Sequence, residues 1–335
     1  MQTRFRKALG VVSMTGLLML AWTGLPTAED PPRFSGWSPA LSLGPVNSTS
    51  YDACPTISKD GLALYFRSDR PGSTPYDPPN EMYRSLDIWV AQRDSAEDPW
   101  GEPVNIGPTI NGPYDEFCTA FSPDGHWMIF VSYRPPSAGN CGTGAGWNQD
   151  LWISHRKNKR DDFGWEDPEN LGCVVNSPQA ENGPAWFEDD AYGRTWLYYS
   201  SNRPGGPGLL DIYVSEEIGD EKGNFGPPRL VTELNTAASD YQPVLRKDGR
   251  EMFFASNRPG GAGSVDLWTS IRESTLDPWS TPVNLGPLVN STASDFHPTL
   301  SFDGATLYFA TERGGAPVGR SDLWMTTRSR VRGRP

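Results

Sequence analysis

One pattern recurs five times along this chain, and it restricts the possible folds more than any other feature. From Asp52 to Trp324 each copy reads acid, two residues, proline, an Asp-Gly turn and an aromatic run of Leu-Tyr-Phe character. An Arg-Pro-Gly-Gly loop and an Asp-Ile-Trp segment, or close variants, complete it. The copies lie about 55 to 65 residues apart, a spacing that marks a modular array. A unit of this size cannot bury its own apolar face, so the units must stack or close on one another. Function then belongs to a shared scaffold and its rim rather than to a single motif.

The units read as short antiparallel strands. Asp60-Gly61, Asp124-Gly125, Asp248-Gly249 and Asp303-Gly304 each separate an extended run from an apolar one, with Asp189-Asp190 in a degenerate third copy. Such dipeptides predict hairpins in which both turn residues accept positive φ. A second loop opens at Arg70, Arg134, Arg203, Arg258 and Arg313, and a third strand at Asp87, Asp150, Asp211, Asp266 and Asp322. A fourth strand carries the pattern Trp-x-x-Pro-Val-Asn-Leu-Gly, from Trp100 to Gly107 and from Trp279 to Gly286. Helical periodicity is absent. The prediction is an all-β chain forming a five-bladed β-propeller of four-stranded antiparallel blades. The last unit lacks its fourth strand, and Trp37 to Gly44 carries the missing copy. An N-terminal strand completing the last blade would seal the ring and remove its open edges.

Three segments follow. Residues 1–28 read as a secretory signal peptide: Arg4, Arg6 and Lys7 precede an apolar run from Ala8 to Trp22, and small and turn-forming residues follow. Residues 29–328 make up the propeller, and 329–335 a basic tail. Without the three leader cations the net charge of −12 becomes about −15, a poor match for nucleic acid, whose phosphates demand Lys and Arg. Processing would leave no stable membrane span. Four cysteines in an exported chain imply two bridges. Cys141 lies in the long second-unit loop and Cys173 ends that unit's fourth strand, so one bridge would pin the loop. Cys54 and Cys118 hold the same position in neighbouring units and could meet across adjacent inner strands.

The strings Ser122-Pro-Asp-Gly125, Tyr308-Phe-Ala-Thr-Glu-Arg313 and Ser256-Asn-Arg-Pro-Gly-Gly261 resemble the PD40 family, the WD40-like repeat of the bacterial TolB type. The resemblance covers residues 33 to 328. It implies a bacterial periplasmic or secreted protein that binds proteins or other envelope components. TolB-like proteins carry an N-terminal α/β domain and a six-bladed ring, and this sequence shows neither, so the particular partners of TolB are not carried over.

Two groups of residues stand out as candidate sites. The acid before strand one is present in every copy, as Asp52, Glu116, Glu181, Asp240 and Asp295. Together with the repeated Arg and Asp it forms either a polar rosette at the channel mouth or a structural bridge, and fivefold repetition favours structure. Symmetry breaking is the better guide to a ligand. The loop after strand two is longer in the first two units and carries Tyr76, Asp77, Asn80 and Tyr83, then Trp147 and Asn148. These types stack on sugars or anchor protein interfaces.

Catalytic motifs are thin. His126, His155 and His297 fall on a turn, an outer strand and an inner strand, which argues against a His-rich metal site. No cofactor is expected, and calcium on rim carboxylates lacks a supporting Asp-x-Asp-x-Asp loop. The expectation is an exported, non-catalytic propeller binding a protein or envelope polymer through one face. The alternative is a carbohydrate-active hydrolase with carboxylates at the channel mouth.

Overall fold

The computed structural model describes residues 33–75, 85–135, 141, 148–314 and 320–331. Five four-stranded antiparallel sheets follow one another around a ring. Blade one is Ala53–Ile57, Ala63–Ser68, Asp87–Gln92 and Val104–Asn105. Blade two is Glu116–Phe121, Trp127–Ser132, Asp150–His155 and Glu169–Asn170. Blade three has the longest hairpin, Glu181–Asp189 and Arg194–Ser201, followed by Asp211–Glu216 and Arg229–Leu230. Blade four is Asp240–Leu245, Glu251–Ser256, Asp266–Ile271 and Val283–Asn284. Blade five is Asp295–Leu300, Thr306–Thr311 and Asp322–Thr327, and its outer strand is Leu41–Ser42 from the N-terminal side. The first strands of neighbouring blades touch all the way round, including blade five to blade one. The fold is the five-bladed propeller that the repeat predicts.

Each blade is covered on both faces by its neighbours, which is why the second strands read as unbroken apolar runs. Tyr65, Ile88 and Val90 pack against Met128, Phe130 and Trp152 between blades one and two. Tyr198, Ile212 and Val214 meet Met252, Phe254 and Trp268 between blades three and four. Five apolar clusters of this kind fill the ring.

The Asp-Gly turns form hairpins, though not of the two-residue kind. Only the glycines take positive φ, at 75°, 78°, 66° and 74° for Gly61, Gly125, Gly249 and Gly304. The turn spans four residues, with Gly61 N–H donating to the Ser58 carbonyl at 2.9 Å, and likewise Gly125 to Ser122. The aspartate accepts locally instead: Asp60 Oδ1 takes the Ser58 hydroxyl and the Leu62 N–H. A short side chain that satisfies nearby donors suits such a turn.

A second repeated residue lies five positions before each acid. Asn111 accepts the Ile88 N–H through Oδ1 and donates through Nδ2 to the Ile88 carbonyl, both at 2.9 Å. Asn176, Asn235 and Asn290 do the same to Leu151, Ile212 and Leu267. Each amide takes over the role of a neighbouring strand where the short fourth strand has ended.

Asn47 closes the ring in this way, because its partner Leu323 lies in the last blade. Arg328 reinforces the closure. It pairs with Glu251 of blade four at 2.8 and 2.7 Å and lies against the rings of Phe34 and Trp37. Arg330–Val331, at the start of the basic tail, pairs with Arg33–Phe34. No helix among the described residues is long and apolar enough to cross a membrane.

Replacing Asn47 by Ala leaves the buried Leu323 N–H and carbonyl without these partners. The expected loss is about 1–3 kcal/mol, read as a lower urea midpoint with the m-value unchanged.

Candidate functional site

The repeated charges settle into one motif. Asp52, Glu116, Glu181, Asp240 and Asp295 are all fully buried. Each pairs with the arginine of its own blade: Arg70 with Asp52 at 2.7 Å, Arg134 with Glu116 at 3.2 Å, Arg203 with Glu181 at 2.9 Å, Arg258 with Asp240, and Arg313 with Asp295. The same guanidinium donates to a carbonyl in the linker arriving from the previous blade: Val46, Ile110, Val175, Leu234 or Val289. A hydroxyl from Ser68, Ser132, Ser201, Ser256 or Thr311 completes the cluster. Of the two readings, polar rosette or structural bridge, these ion pairs fit the bridge. These acids have no solvent-facing oxygen, and their counter-ions are spent on linker geometry.

The strand-three acids hold the neighbouring loop. Asp87 accepts from Thr74, Ser85 and Asn105, Asp150 from Asn170, Asp211 from Gly208, and Asp266 from Ala262 and Asn284. Burial pushes the Asp322 carboxyl up, aided by the charge of Asp52. Of the loop candidates, Tyr76, Asp77, Asn80, Tyr83 and Trp147 lie outside the described residues. Asn148 donates to the Ser177 carbonyl at 3.0 Å and so braces its own loop. Both expected disulfides are present, Cys141–Cys173 and Cys54–Cys118.

Burial acts unevenly on the buried acids. It drives the Glu116 carboxyl up to about 7, against the opposing pull of Arg134 and the Gly112 N–H. Asp87, Asp150 and Glu181 move in the same direction for the same first cause. The folded state then holds a proton that the unfolded chain has already released. Stability is full below the ordinary carboxylate range and is lost as pH rises toward 7. The thermal midpoint should accordingly fall between pH 5 and pH 8. In Glu116→Gln most of its share, about 2–3 kcal/mol, should vanish from that fall.

Sequence reading missed the feature that shapes the channel. Two residues after each acid the inner strand bulges, and its register with strand two shifts in all five blades. The residue there has positive φ every time: Cys54, Cys118, Gly183, Gln242 and His297, at 51°, 48°, 58°, 56° and 54°. Proline follows in four blades and threonine in the second. A proline without an N–H suits a bulge, where no ladder bond is needed. The repeated acid-x-x-Pro was the available signal.

This ring of five residues forms the inner end of a cavity of about 390 Å³ that runs between the inner strands to the Asp-Gly turns. Its wall is asymmetric. Blade three extends further and contributes Trp186, Phe187, Glu188 and Asp190, while Phe121 and Asp124 come from blade two and Lys59, Lys247 and Phe302 from the turns of other blades. Lys222 ties the acidic side together, its Nζ 3.0 Å from Glu188 and 3.3 Å from Glu217, above the Trp186 ring. Burial opposes the charge on Lys222, but these two carboxylates outweigh it and hold its amine more basic than usual. Asp124 is held below the usual carboxylate range: burial works against this, and the Ser122 hydroxyl, the His126 N–H and the charges of His126 and Lys222 outweigh it. The degenerate Asp189-Asp190 turn was the sequence trace of this wall.

No family model and no curated protein matches this chain, so the PD40 resemblance rests on its motifs alone. Solved structures do share its fold. The catalytic domain of the GH62 alpha-L-arabinofuranosidase of Coprinopsis cinerea is 13% identical, with a TM-score of 0.53, covering 89% of this chain and 98% of that one. A thermostable family-43 glycoside hydrolase is 14% identical, with a TM-score of 0.52, covering 88% and 94%. A TolB-type protein of Agrobacterium tumefaciens is 16% identical over 88% of this chain and 85% of its own, but its TM-score of 0.44 carries no argument. At these identities the likeness establishes the fold alone. It nevertheless corrects the expectation of a non-catalytic binding ring. That expectation took fivefold repetition as a sign against enzymatic chemistry, and the same propeller is the scaffold of glycoside hydrolases.

Proposed function

We propose that this protein is a carbohydrate-active hydrolase whose substrate enters the central cavity from the Asp-Gly face. The carrying observation is the asymmetric wall, where carboxylates of two adjoining blades, Asp124 and Glu188, share the influence of one lysine beside an indole ring. Glycosidic cleavage needs two carboxyl groups with opposite tasks, one donating a proton to the leaving oxygen and one ionised. Asp124, held ionised by its hydroxyl and N–H partners, suits the nucleophile or general base. Glu188, held by Lys222, and Asp190, two residues further along the same wall, offer the second carboxyl group. Trp186, Phe121 and Phe302 offer flat apolar faces of the type that stacks on sugar rings. Two disulfides suit an oxidising, extracellular setting in which a polysaccharide would be the partner.

The solved relatives in fold include arabinofuranosidases and a xylan beta-1,4-xylosidase. Aryl arabinofuranosides, aryl xylosides and arabinoxylan are therefore the first substrates to assay. Release of aryl alcohol or pentose is expected, with kcat lowered about 10²–10⁴-fold in Asp124→Asn and in Glu188→Gln while the thermal midpoint stays close to wild type. Absence of turnover across a broader glycan panel, or full activity in both variants, overturns the reading.

A further inference from the structure

The inner end of the cavity holds a second chemistry that does not depend on glycan cleavage. The bulge ring brings together side chains that lie far apart in sequence: Cys54 of blade one, Cys118 of blade two and His297 of blade five. The two Sγ atoms and a ring nitrogen of His297 all lie within 4.8 Å of one another. His297 is 6% exposed, and its Nδ1 has no hydrogen-bond partner among the described residues. A buried polar nitrogen without a partner normally costs stability, so its persistence here calls for an occupant. His297 is fixed through its main chain, since its backbone N–H donates to Gln242 Oε1 at 3.1 Å, while Gln242 N–H is held by the Ser200 hydroxyl. These bonds fix the main chain at His297, while its Nδ1 has no partner among the described residues.

We infer that Cys54, Cys118 and His297 form a redox-gated site for a thiophilic d10 cation, with Zn²⁺ as the type ion. Two thiolates and one imidazole are three of the four ligands that zinc takes, and such a set leaves one coordination position open. Here that position would face the cavity, because all three residues line it. In the oxidised protein the sulfurs are joined as a disulfide and cannot bind as thiolates. Opening the site takes a dithiol donor. Its two electrons and two protons convert the Cys54–Cys118 bond to two thiols while the donor becomes a disulfide. Zinc then displaces those two protons and forms two Zn–S bonds and one Zn–N bond. Burial first, and the charge of the Arg67 guanidinium second, disfavour an imidazolium and leave the neutral ligand form. Cys141–Cys173 has no such histidine in the group that surrounds it, so reduction there gives no equivalent triad among the described residues.

The test uses full-length protein, oxidised or reduced with a non-coordinating phosphine under anaerobic conditions, and titrated with Co²⁺ as a spectroscopic substitute for zinc. The expected result is one equivalent bound only by reduced protein, with a sulfur-to-cobalt charge-transfer band and tetrahedral ligand-field absorption that Zn²⁺ abolishes. Cys54→Ser and Cys118→Ser should lose the band. His297→Gln should keep it with at least tenfold weaker binding and altered ligand-field absorption. Cys141→Ser/Cys173→Ser should bind like wild type, and its retained signal identifies the site even if one of the other variants folds poorly. Equal uptake by oxidised protein, loss of the band in Cys141→Ser/Cys173→Ser, or an unchanged spectrum in His297→Gln each overturns the assignment.

Discussion

The ring depends on a buried ion pair used five times as a fastener. Each guanidinium sits where one blade hands the chain to the next and spans three groups at once: the carboxylate of its own inner strand, a hydroxyl of its own second strand and a carbonyl of the incoming linker. A buried ion pair alone is weak support for stability, since desolvation offsets much of its attraction. Here the pairing fixes direction. The planar guanidinium offers donors in a rigid fork, and the linker must arrive at one angle to meet it. Repeating that angle five times turns a string of sheets into a closed circle. The aromatic floor below each guanidinium, such as Phe66 and Trp89 under Arg70, joins the same fastener to the apolar packing between blades.

How much of this was legible depends on whether the responsible interaction is local. Blade number, strand order and the borrowed outer strand followed from the spacing of Asp-Gly turns and aromatic runs, because each hairpin is set by its own residues. Cys54 and Cys118 could be paired from equivalent positions in neighbouring units, and Cys141 with Cys173 from their places within one unit. The φ of Asp60 and its counterparts was misjudged, since a four-residue turn uses the aspartate as an acceptor and only the glycine as a left-handed residue. The five asparagines repeat as regularly as the acids but were passed over, because an Asn in a linker reads as ordinary turn polarity and its partner strand is distant in sequence. For the acids, fivefold repetition already pointed to a structural bridge, though not to the linker carbonyl that each arginine also holds.

The cavity was the least legible part, and the reason is geometric. Its lining is drawn from all five inner strands, so residues as distant as Cys54 and His297 become neighbours only when the ring closes. Repetition drew attention to the rim, where the long loops lie. The difference that matters for the cavity was a loss of regularity: blade three lacks the Asp-Gly turn and runs its hairpin further, from Glu181–Asp189 to Arg194–Ser201. A broken copy in an otherwise regular array is as informative as an insertion.

The borrowed strand has a consequence for how the molecule comes into being. Ser38 and Thr326, which bond in the finished ring, are 288 positions apart. A ribosome makes the outer strand of the last blade before the five blades that follow it, and that strand stays without its partner until the fifth has emerged. The unclosed chain presents two free sheet edges throughout synthesis, the kind of surface that pairs with other chains. A ring fastened this way is finished late or not at all. Truncated or stalled products cannot imitate the native surface, so the closing step separates complete molecules from incomplete ones.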